Sequence, residues 1–173
     1  MNDPRTLFDR PVALTSGHDP SAFESNEPVL DDWLRRRALH NQLIAASRTY
    51  VACRASSPVV AGYFALSMGQ VMAGDVVGSM RRNMPAAIPA VVLGRLAVDR
   101  TAQGMGLGRA LLTDAVRRAL HASQGVSARL VIVHALSGGA EAFYRRHGFT
   151  RLPLDQPTLA LDLTKLNRLM PLP

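Results

Sequence analysis

The sequence predicts a mixed α/β fold, because an apolar strand, a glycine-rich turn and an amphipathic helix follow one another near the middle of the chain. Apolar residues fill most of segment 91–98, as expected of a buried strand. From Leu107 to Leu120 they recur at every third or fourth position, which indicates one buried helix face. Strand-like segments lie on both sides of this unit. We therefore expect helices packed on one sheet, in a single domain that spans residues 1–173.

Before the central strand, the sequence predicts a short strand, one long helix and a β-hairpin. The helix begins with Asn26 as its cap and Pro28 in its first turn, and its apolar face runs to about Ala46. β-branched and aromatic residues then predict two antiparallel strands joined by a turn at 56–58. The three predicted strands are 11–15, 48–54 and 59–68.

After the central helix, the sequence predicts a strand, a short helix and two final strands. The short helix covers 139–147 and ends at Gly148, since glycine readily takes the left-handed conformation that closes a helix. Gly138 and Gly139 are poor helix formers, so we expect a late or flexible start. The three predicted strands are 128–135, 149–152 and 158–163.

The chain is strongly basic, with a net charge of +7 and a sequence pI near 10.9. Every basic residue except Lys165 is arginine, whose planar guanidinium suits phosphate oxygens and stacks on bases. An anionic partner larger than a single cofactor would account for this charge. Arginine-rich usage that follows genome composition is the alternative.

The sequence shows no sign of export, membrane insertion or a metal site. Met1–Arg5 has no apolar leader, and no run approaches the roughly 18 apolar residues that cross a bilayer. We therefore expect a soluble, cytoplasmic protein with no membrane partner. Cys53 is the only cysteine, so we expect a buried, inert thiol. The five histidines lack metal-site spacing, and His134 is expected to be a core or pocket residue.

The glycine-rich turn has the features of a pyrophosphate-binding loop. Glycines allow close approach of the backbone, and the first N–H groups of the following helix point at any anion placed there. The spacing Gln103-x-x-Gly106-x-Gly108 does not match the dinucleotide fingerprint. The Walker pattern is also absent, because no Lys-Ser or Lys-Thr follows the glycines.

This segment resembles the acetyl-coenzyme A signature of the GCN5-related N-acetyltransferases (GNAT), in which a strand, the pattern Gln-x-x-Gly-x-Gly and a helix follow in this order. The resemblance implies the GNAT fold, a central mostly antiparallel mixed sheet splayed at the acetyl-CoA site with flanking helices. It implies acetyl-CoA as acetyl donor and a backbone N–H of Ala97 or Val98 at the oxyanion. The cofactor-binding residues that it implies are Leu96, Ala97, Val98, Gln103, Gly104, Met105, Gly106, Leu107, Gly108, Arg109 and Phe143.

A second match to the same superfamily is the segment from Ala140 to Phe149, which contains Tyr144 four residues before Gly148. The resemblance implies that Tyr144 lies near the thioester sulfur, as general acid to the departing thiolate. A phenol with a pKa near 10 can assist a thiolate whose thiol has a pKa of about 8.5. The alternative is a tyrosine that only packs its ring.

The central strand contains no carboxylate, although many members of the superfamily place a catalytic glutamate there. Asp99, a chain of waters or no dedicated base then remains. An α-amine, with a pKa of about 7.7 to 8.0, is partly neutral in the cytoplasm, whereas a lysine near 10.4 is almost fully protonated. The missing carboxylate therefore favours an α-amine substrate.

A closer resemblance, to the acetyltransferase toxins of bacterial toxin-antitoxin modules, covers nearly the whole chain. It implies acetylation of the α-amine of aminoacyl-tRNA, which blocks translation, a ribbon-helix-helix antitoxin and a homodimer. One alternative is an enzyme that acetylates a small amine or a peptide N-terminus. The other is a non-catalytic module that binds acyl-CoA or nucleic acid. The segments that carry the resemblance are 30–42, 47–51, 62–66, 81–85, 88–89 and 92–98. The implied candidates for tRNA phosphate contacts are Arg35, Arg36, Arg37, Arg48, Arg81, Arg82 and Arg95.

Overall fold

The structure, a computed structural model, describes residues 7–169 and contains a seven-stranded mixed sheet with flanking helices. The strand order is β1-β2-β3-β4-β5-β7-β6. The strands are β1 Val12–Ala13, β2 Arg48–Cys53, β3 Val60–Met72, β4 Ala87–Val98, β5 Leu130–His134, β6 Thr150–Arg151 and β7 Thr158–Asp162. The helices are α1 Pro28–Arg36, α2 Ala38–Leu43, α3 Leu107–Gly125, α4 Gly138–Arg146 and α5 Leu163–Leu169. Met1–Arg5, on which the expectation of no export signal rests, lies outside the described residues.

The sheet is mostly antiparallel, as predicted, and β4 and β5 form a parallel pair. Their ladder ends where Leu93 pairs with Val133, although β4 continues to Val98. The predicted hairpin is confirmed, because β2 and β3 pair in antiparallel fashion. No helix within residues 7–169 is long and apolar enough to cross a membrane.

The chain divides into two compact units. The first contains residues up to Ser67 together with Arg95–Ala115, and the second contains Met68–Gly94 and the residues from Val116 onward. β3, β4 and α3 each contribute residues to both units. The single domain expected for residues 1–173 stays a prediction.

Aromatic side chains organise the core of the first unit. The buried ring of Tyr63 stacks on Trp33, with 6.0 Å between centroids, and meets Phe23 edge-on at 5.6 Å. The Tyr63 hydroxyl donates a hydrogen bond to the carbonyl oxygen of Leu30, at 2.8 Å. Leu30, Trp33 and Leu34 share the buried face of α1, so the helix is fixed by its apolar spacing.

Two details of the predicted first helix are wrong. Glu27 precedes its first residue, whereas Asn26 has a φ of 73° and does not cap. Instead, the buried carboxylate of Asp31 accepts hydrogen bonds from the backbone N–H and the hydroxyl of Ser25, at 3.0 and 2.6 Å. The helix also breaks at Arg37, where φ is −122°. It therefore forms two shorter helices that end at Leu43 rather than about Ala46.

An ion pair with a buried carboxylate joins the residue before β5 to the end of β7 in the second unit. The Arg129 guanidinium donates from Nε and Nη2 to the two carboxylate oxygens of Asp162, at 3.1 and 3.2 Å. Arg129 also donates to the Ser79 carbonyl oxygen at 3.1 Å. Asp162 accepts from the backbone N–H of Thr164 at 3.0 Å. This contact lies at the first turn of α5, a helix that the sequence pattern did not predict.

Candidate functional site

The glycine-rich loop joins β4 to α3 through a short 3-10 turn, Arg100–Ala102. Gly104 has a φ of 75° and Gly106 a φ of 83°, a left-handed conformation that side chains disfavour. The first hydrogen bond of α3 runs from the N–H of Ala110 to the carbonyl oxygen of Gly106, at 3.1 Å. The N–H groups of the first helical turn before Ala110 therefore have no partner within the helix and can bind an anion.

The side chain of Gln103 holds the start of this loop. Its amide nitrogen donates to the carbonyl oxygens of Ser25 and Val98, at 3.1 and 3.0 Å. The loop is thereby fixed both to the segment before α1 and to the end of β4. The role of Gln103 side-chain atoms is therefore to shape the loop.

Asp99, considered above as a base, has a structural position. Its buried carboxylate accepts hydrogen bonds from the backbone N–H groups of Glu24 and Thr101, at 3.0 and 2.9 Å. Burial alone would raise the pKa of Asp99, but hydrogen bonds from Thr101 and Glu24, together with the charge of Arg54, lower it overall. A carboxylate with a lowered pKa is a weaker proton acceptor. These contacts favour a capping role.

Helix α4 places Tyr144 in an aromatic cluster of the second unit. The Ser137 hydroxyl accepts a hydrogen bond from the N–H of Ala140 at 3.1 Å, so the helix starts at Gly138 despite its two glycines. A serine before a helix is a cap signal, and it could have been read from the sequence. Gly148, with a φ of 91°, closes the helix as predicted.

Tyr144 is buried, with 6% of its surface exposed. Its ring packs against Phe143 and Phe149, with centroids 5.3 and 5.5 Å away. Burial raises the pKa of Tyr144 to about 12, so the phenol stays protonated at physiological pH. No hydrogen bond from its hydroxyl is found within residues 7–169, and the group can therefore serve a bound ligand.

Cys53 and His134 were both expected to be buried or in a pocket, and the structure differs for the second. Cys53 is buried, as expected, and burial raises the pKa of its thiol. His134 is exposed at the end of β5, so a core position is wrong, whereas a position in a pocket stays a prediction. The reason is that β5 is buried only as far as Val133. No cluster of metal-binding side chains occurs in the part of the chain that is described.

Two of the seven candidate arginines are held by partners within the chain. Arg35 donates to the carbonyl oxygen of Phe23 at 2.6 Å and pairs with Asp32 at 3.2 Å. Arg95 is half-buried, and its guanidinium carbon lies 4.2 Å from the centroid of the Trp33 ring. The other five are exposed, and no ion pair to them is found among residues 7–169: Arg36, Arg37, Arg48, Arg81 and Arg82.

The candidate residues are divided between the two units. The loop Gln103–Arg109, the strand end Leu96–Val98 and five of the arginines belong to the first unit. Phe143, Tyr144, Arg81 and Arg82 belong to the second.

Comparison with known proteins gives one family match that includes both the glycine-rich loop and Tyr144. The model of the acetyltransferase (GNAT) domain matches residues 45–151. A tRNA-acetylating toxin from Mycobacterium tuberculosis (strain ATCC 25618 / H37Rv) is 43% identical over 154 residues, which cover 89% of this chain and 92% of the relative.

Two solved structures of the AtaT toxin are also similar. AtaT complexed with acetyl-methionyl-tRNAfMet superposes with a TM-score of 0.86 and 28% identity, covering 92% of this chain and 97% of that chain. A tyrosine-to-phenylalanine mutant of AtaT bound to the C-terminus of the antitoxin AtaR and acetyl-CoA has a TM-score of 0.79 and 28% identity. That match covers 94% of this chain and 98% of the other.

Proposed function

The chain belongs to the GNAT acetyltransferase family, and from this premise we propose that it transfers the acetyl group of acetyl-CoA to the α-amine of aminoacyl-tRNA. The acetylated α-amine can no longer accept the growing peptide, so translation is blocked. The protein is then the toxin of a toxin-antitoxin module. The observation that carries this proposal is the 43% identity to a tRNA-acetylating toxin over 89% of the chain.

The glycine-rich loop fits the pyrophosphate of acetyl-CoA. Gly104 and Gly106 adopt left-handed conformations that bring bare backbone to the surface, directly before the N-terminus of the 19-residue helix α3. Arg109, exposed in the first turn, adds a positive charge. Acetyl-CoA supplies a thioester-activated acetyl group. The backbone from Gly104 to Arg109 would hold its phosphates, while Leu96–Val98 and Phe143 would line the remainder.

Tyr144 would serve the departing sulfur. Its pKa of about 12 lies above that of a free thiol, about 8.5, so it stabilises the thiolate by donating a hydrogen bond rather than by giving up its proton completely. The aromatic contacts with Phe143 and Phe149 hold the ring, which fixes where the hydroxyl points. Replacement by phenylalanine would retain this packing and remove only the donor.

The acceptor amine must be neutral before it attacks. No aspartate or glutamate lies in β4, and Asp99 is occupied by its hydrogen bonds. An α-amine, with a pKa of about 7.7 to 8.0, needs little help, whereas a lysine side chain would need a strong base. The site therefore favours an α-amine as acceptor.

Exposed arginines would bind the tRNA backbone. Arg36, Arg37 and Arg48 in the first unit, and Arg81 and Arg82 in the second, are exposed and have no ion pair within residues 7–169, so their guanidinium groups can contact phosphates. Arg35 and Arg95 would instead support the core around α1. Such contacts give affinity without much choice of sequence.

The proposed substrates place the enzyme in the cytoplasm, where aminoacyl-tRNA is made. Its inhibitor would be a ribbon-helix-helix antitoxin, and the active form a homodimer. The complex of AtaT with the antitoxin AtaR supports an antitoxin as partner, whereas the ribbon-helix-helix class and the homodimer rest on the resemblance of the sequence.

The experiment is acetyl transfer from labelled acetyl-CoA to a panel of acceptors: aminoacylated tRNA, uncharged tRNA, a polyamine and a peptide. We expect label in the charged tRNA alone, and its loss with Tyr144→Phe. Tyr50→Phe is the matched control, because Tyr50 also packs on a phenylalanine, at 5.1 Å, and should retain activity. Label in the polyamine or peptide, with none in charged tRNA, would assign a different substrate. No label in any acceptor would favour a binding module.

A further inference from the structure

His134 lies one residue beyond the last pair of the parallel ladder between β4 and β5. The last paired residues are Leu93 and Val133, so continuing the register by one residue would place Gly94 opposite His134. Both residues are exposed, and a side chain at Gly94 would meet nothing within 4 Å. The imidazole therefore borders open space at the carboxyl end of a parallel strand pair, a common location for ligands in sheets of this kind.

Thr158 fixes which nitrogen of His134 carries the proton. The Thr158 hydroxyl lies 3.1 Å from the carbonyl oxygen of Gln156, which can only accept, so the hydroxyl donates its single proton there. The same oxygen lies 3.0 Å from Nδ1 of His134. Both contacts are satisfied only if Nδ1 carries the hydrogen and donates it to Thr158. The neutral imidazole then has an unprotonated Nε2.

This arrangement is that of an oriented proton acceptor. Thr158 is buried, whereas the imidazole of His134 is exposed. A buried partner on one ring nitrogen that leaves the other free is how proteins orient a histidine for general-base catalysis.

We propose that His134 is the general base of the acetyl transfer and that Thr158 is its positioning residue, an inference that rests on the proposed function. The α-amine nitrogen forms a bond to the acetyl carbonyl carbon as the bond from that carbon to sulfur breaks. The proton released by the amine passes to Nε2 of His134 and then to solvent. The electron pair of the broken bond stays on the sulfur, which accepts a hydrogen bond from Tyr144.

The tautomer can be measured without any substrate. In 15N-labelled full-length protein in mildly alkaline buffer, two-bond correlation spectra should show Nε2 of His134 unprotonated and Nδ1 protonated. Thr158→Val removes the acceptor at nearly constant volume, and it should switch the ring to the Nε2–H tautomer. Thr158→Ser retains the hydroxyl and should preserve the wild-type pattern. A protonated Nε2 in the wild-type protein would overturn the proposal.

The catalytic role is tested with His134→Ala and added imidazole. Acetyl transfer to charged tRNA should fall by about 100-fold, the low end for general-base catalysis because the α-amine is already partly neutral. Free imidazole should restore part of the rate to His134→Ala and none to Tyr144→Phe. His121→Gln, an exposed histidine on α3, is the control and should behave as wild type.

Each outcome separates the two proposals. If the wild-type protein acetylates charged tRNA and His134→Ala is equally active, the role of His134 is wrong and the proposed function stands. If rate is lost but imidazole restores none of it, His134 is structural and the proposal fails. If the wild-type protein acetylates no charged tRNA, the proposed function fails, whereas the tautomer measurement still reports on the pairing with Thr158.

Discussion

The guanidinium carbon of Arg95 lies 4.2 Å from the centroid of the Trp33 ring, and Trp33 in turn stacks on Tyr63. Arg95 therefore packs on the core of the first unit. Burial lowers the pKa of its guanidinium, although an arginine stays charged at any physiological pH. An arginine that sequence reasoning assigned to tRNA binding therefore has a clear structural partner.

Arg95→Ala should destabilise the protein, since the cation–π contact is lost and the stem of the side chain no longer covers Trp33. We expect a loss of about 1 kcal/mol in the free energy of unfolding, the size of a partly desolvated cation–π contact. Denaturant unfolding followed by tryptophan fluorescence measures it directly, because Trp33 is the only tryptophan. Arg36→Ala, on the exposed side of α1, should leave stability unchanged.

The paired change Arg36→Gln and Arg37→Gln should have the opposite profile, with weaker tRNA binding and unchanged stability. Each phosphate contact removed should lower the slope of log K against log salt by about 1. Titration of labelled tRNA at several salt concentrations gives this slope. The paired change Arg10→Gln and Arg117→Gln, at two exposed arginines outside the candidate set, is the charge-matched control. Equal losses in the test and control proteins would indicate attraction by net charge alone.

Gly104→Ala should weaken binding of coenzyme A. A side chain at a φ of 75° costs about 1–2 kcal/mol, and the loop can relieve this strain only by changing its shape. We expect a decrease in affinity of up to about tenfold in isothermal titration, because about 1.4 kcal/mol corresponds to a factor of ten. Gly125→Ala, at the end of α3 with open space around it, should bind coenzyme A normally.

Asp162→Asn should destabilise the protein at neutral pH by about 3 kcal/mol, since Arg129 loses its buried counter-charge. Burial alone would raise the pKa of Asp162, but hydrogen bonds from Thr164 and Arg129 lower it overall. Its stabilising contribution is therefore present above about pH 4, the value for the unfolded chain, and is lost as pH falls through the lower folded pKa.

The difference in unfolding free energy between wild type and Asp162→Asn should thus shrink between neutral pH and about pH 3. Denaturant unfolding at several pH values measures this difference. Asp155→Asn, an exposed aspartate, should change stability little at any pH. A difference that stays constant over the whole range would contradict the assigned pKa direction.

Local patterns predicted the elements around the site well. The apolar strand, the glycine loop, α3 and the end of α4 at Gly148 each follow from a few neighbouring residues. Contacts between distant residues were not accessible in this way. Trp33 and Arg95 are far apart in sequence, and so are Arg129 and Asp162, the residue that opens α5.

The sequence predictions that were wrong also depend on contacts beyond the local pattern. Asn26 is a residue type that often caps helices. The carboxylate that accepts a hydrogen bond near the start of α1, from the N–H of Ser25, is instead that of Asp31, on the helix itself. The exposure of His134 depends on where the ladder between β4 and β5 ends, which periodicity along one strand does not reveal. Its pairing with Thr158 depends on the antiparallel register of β5 and β7.

The most direct test of the central claim is to identify the acetylated atom. Charged tRNA is incubated with acetyl-CoA and the full-length protein and digested with nuclease, and its 3′ aminoacyl-adenosine is examined by mass spectrometry. We predict an N-acetyl group on the α-amine with wild type, and none with Tyr144→Phe. An unmodified aminoacyl-adenosine, under conditions in which the same protein acetylates another amine, would contradict the claim.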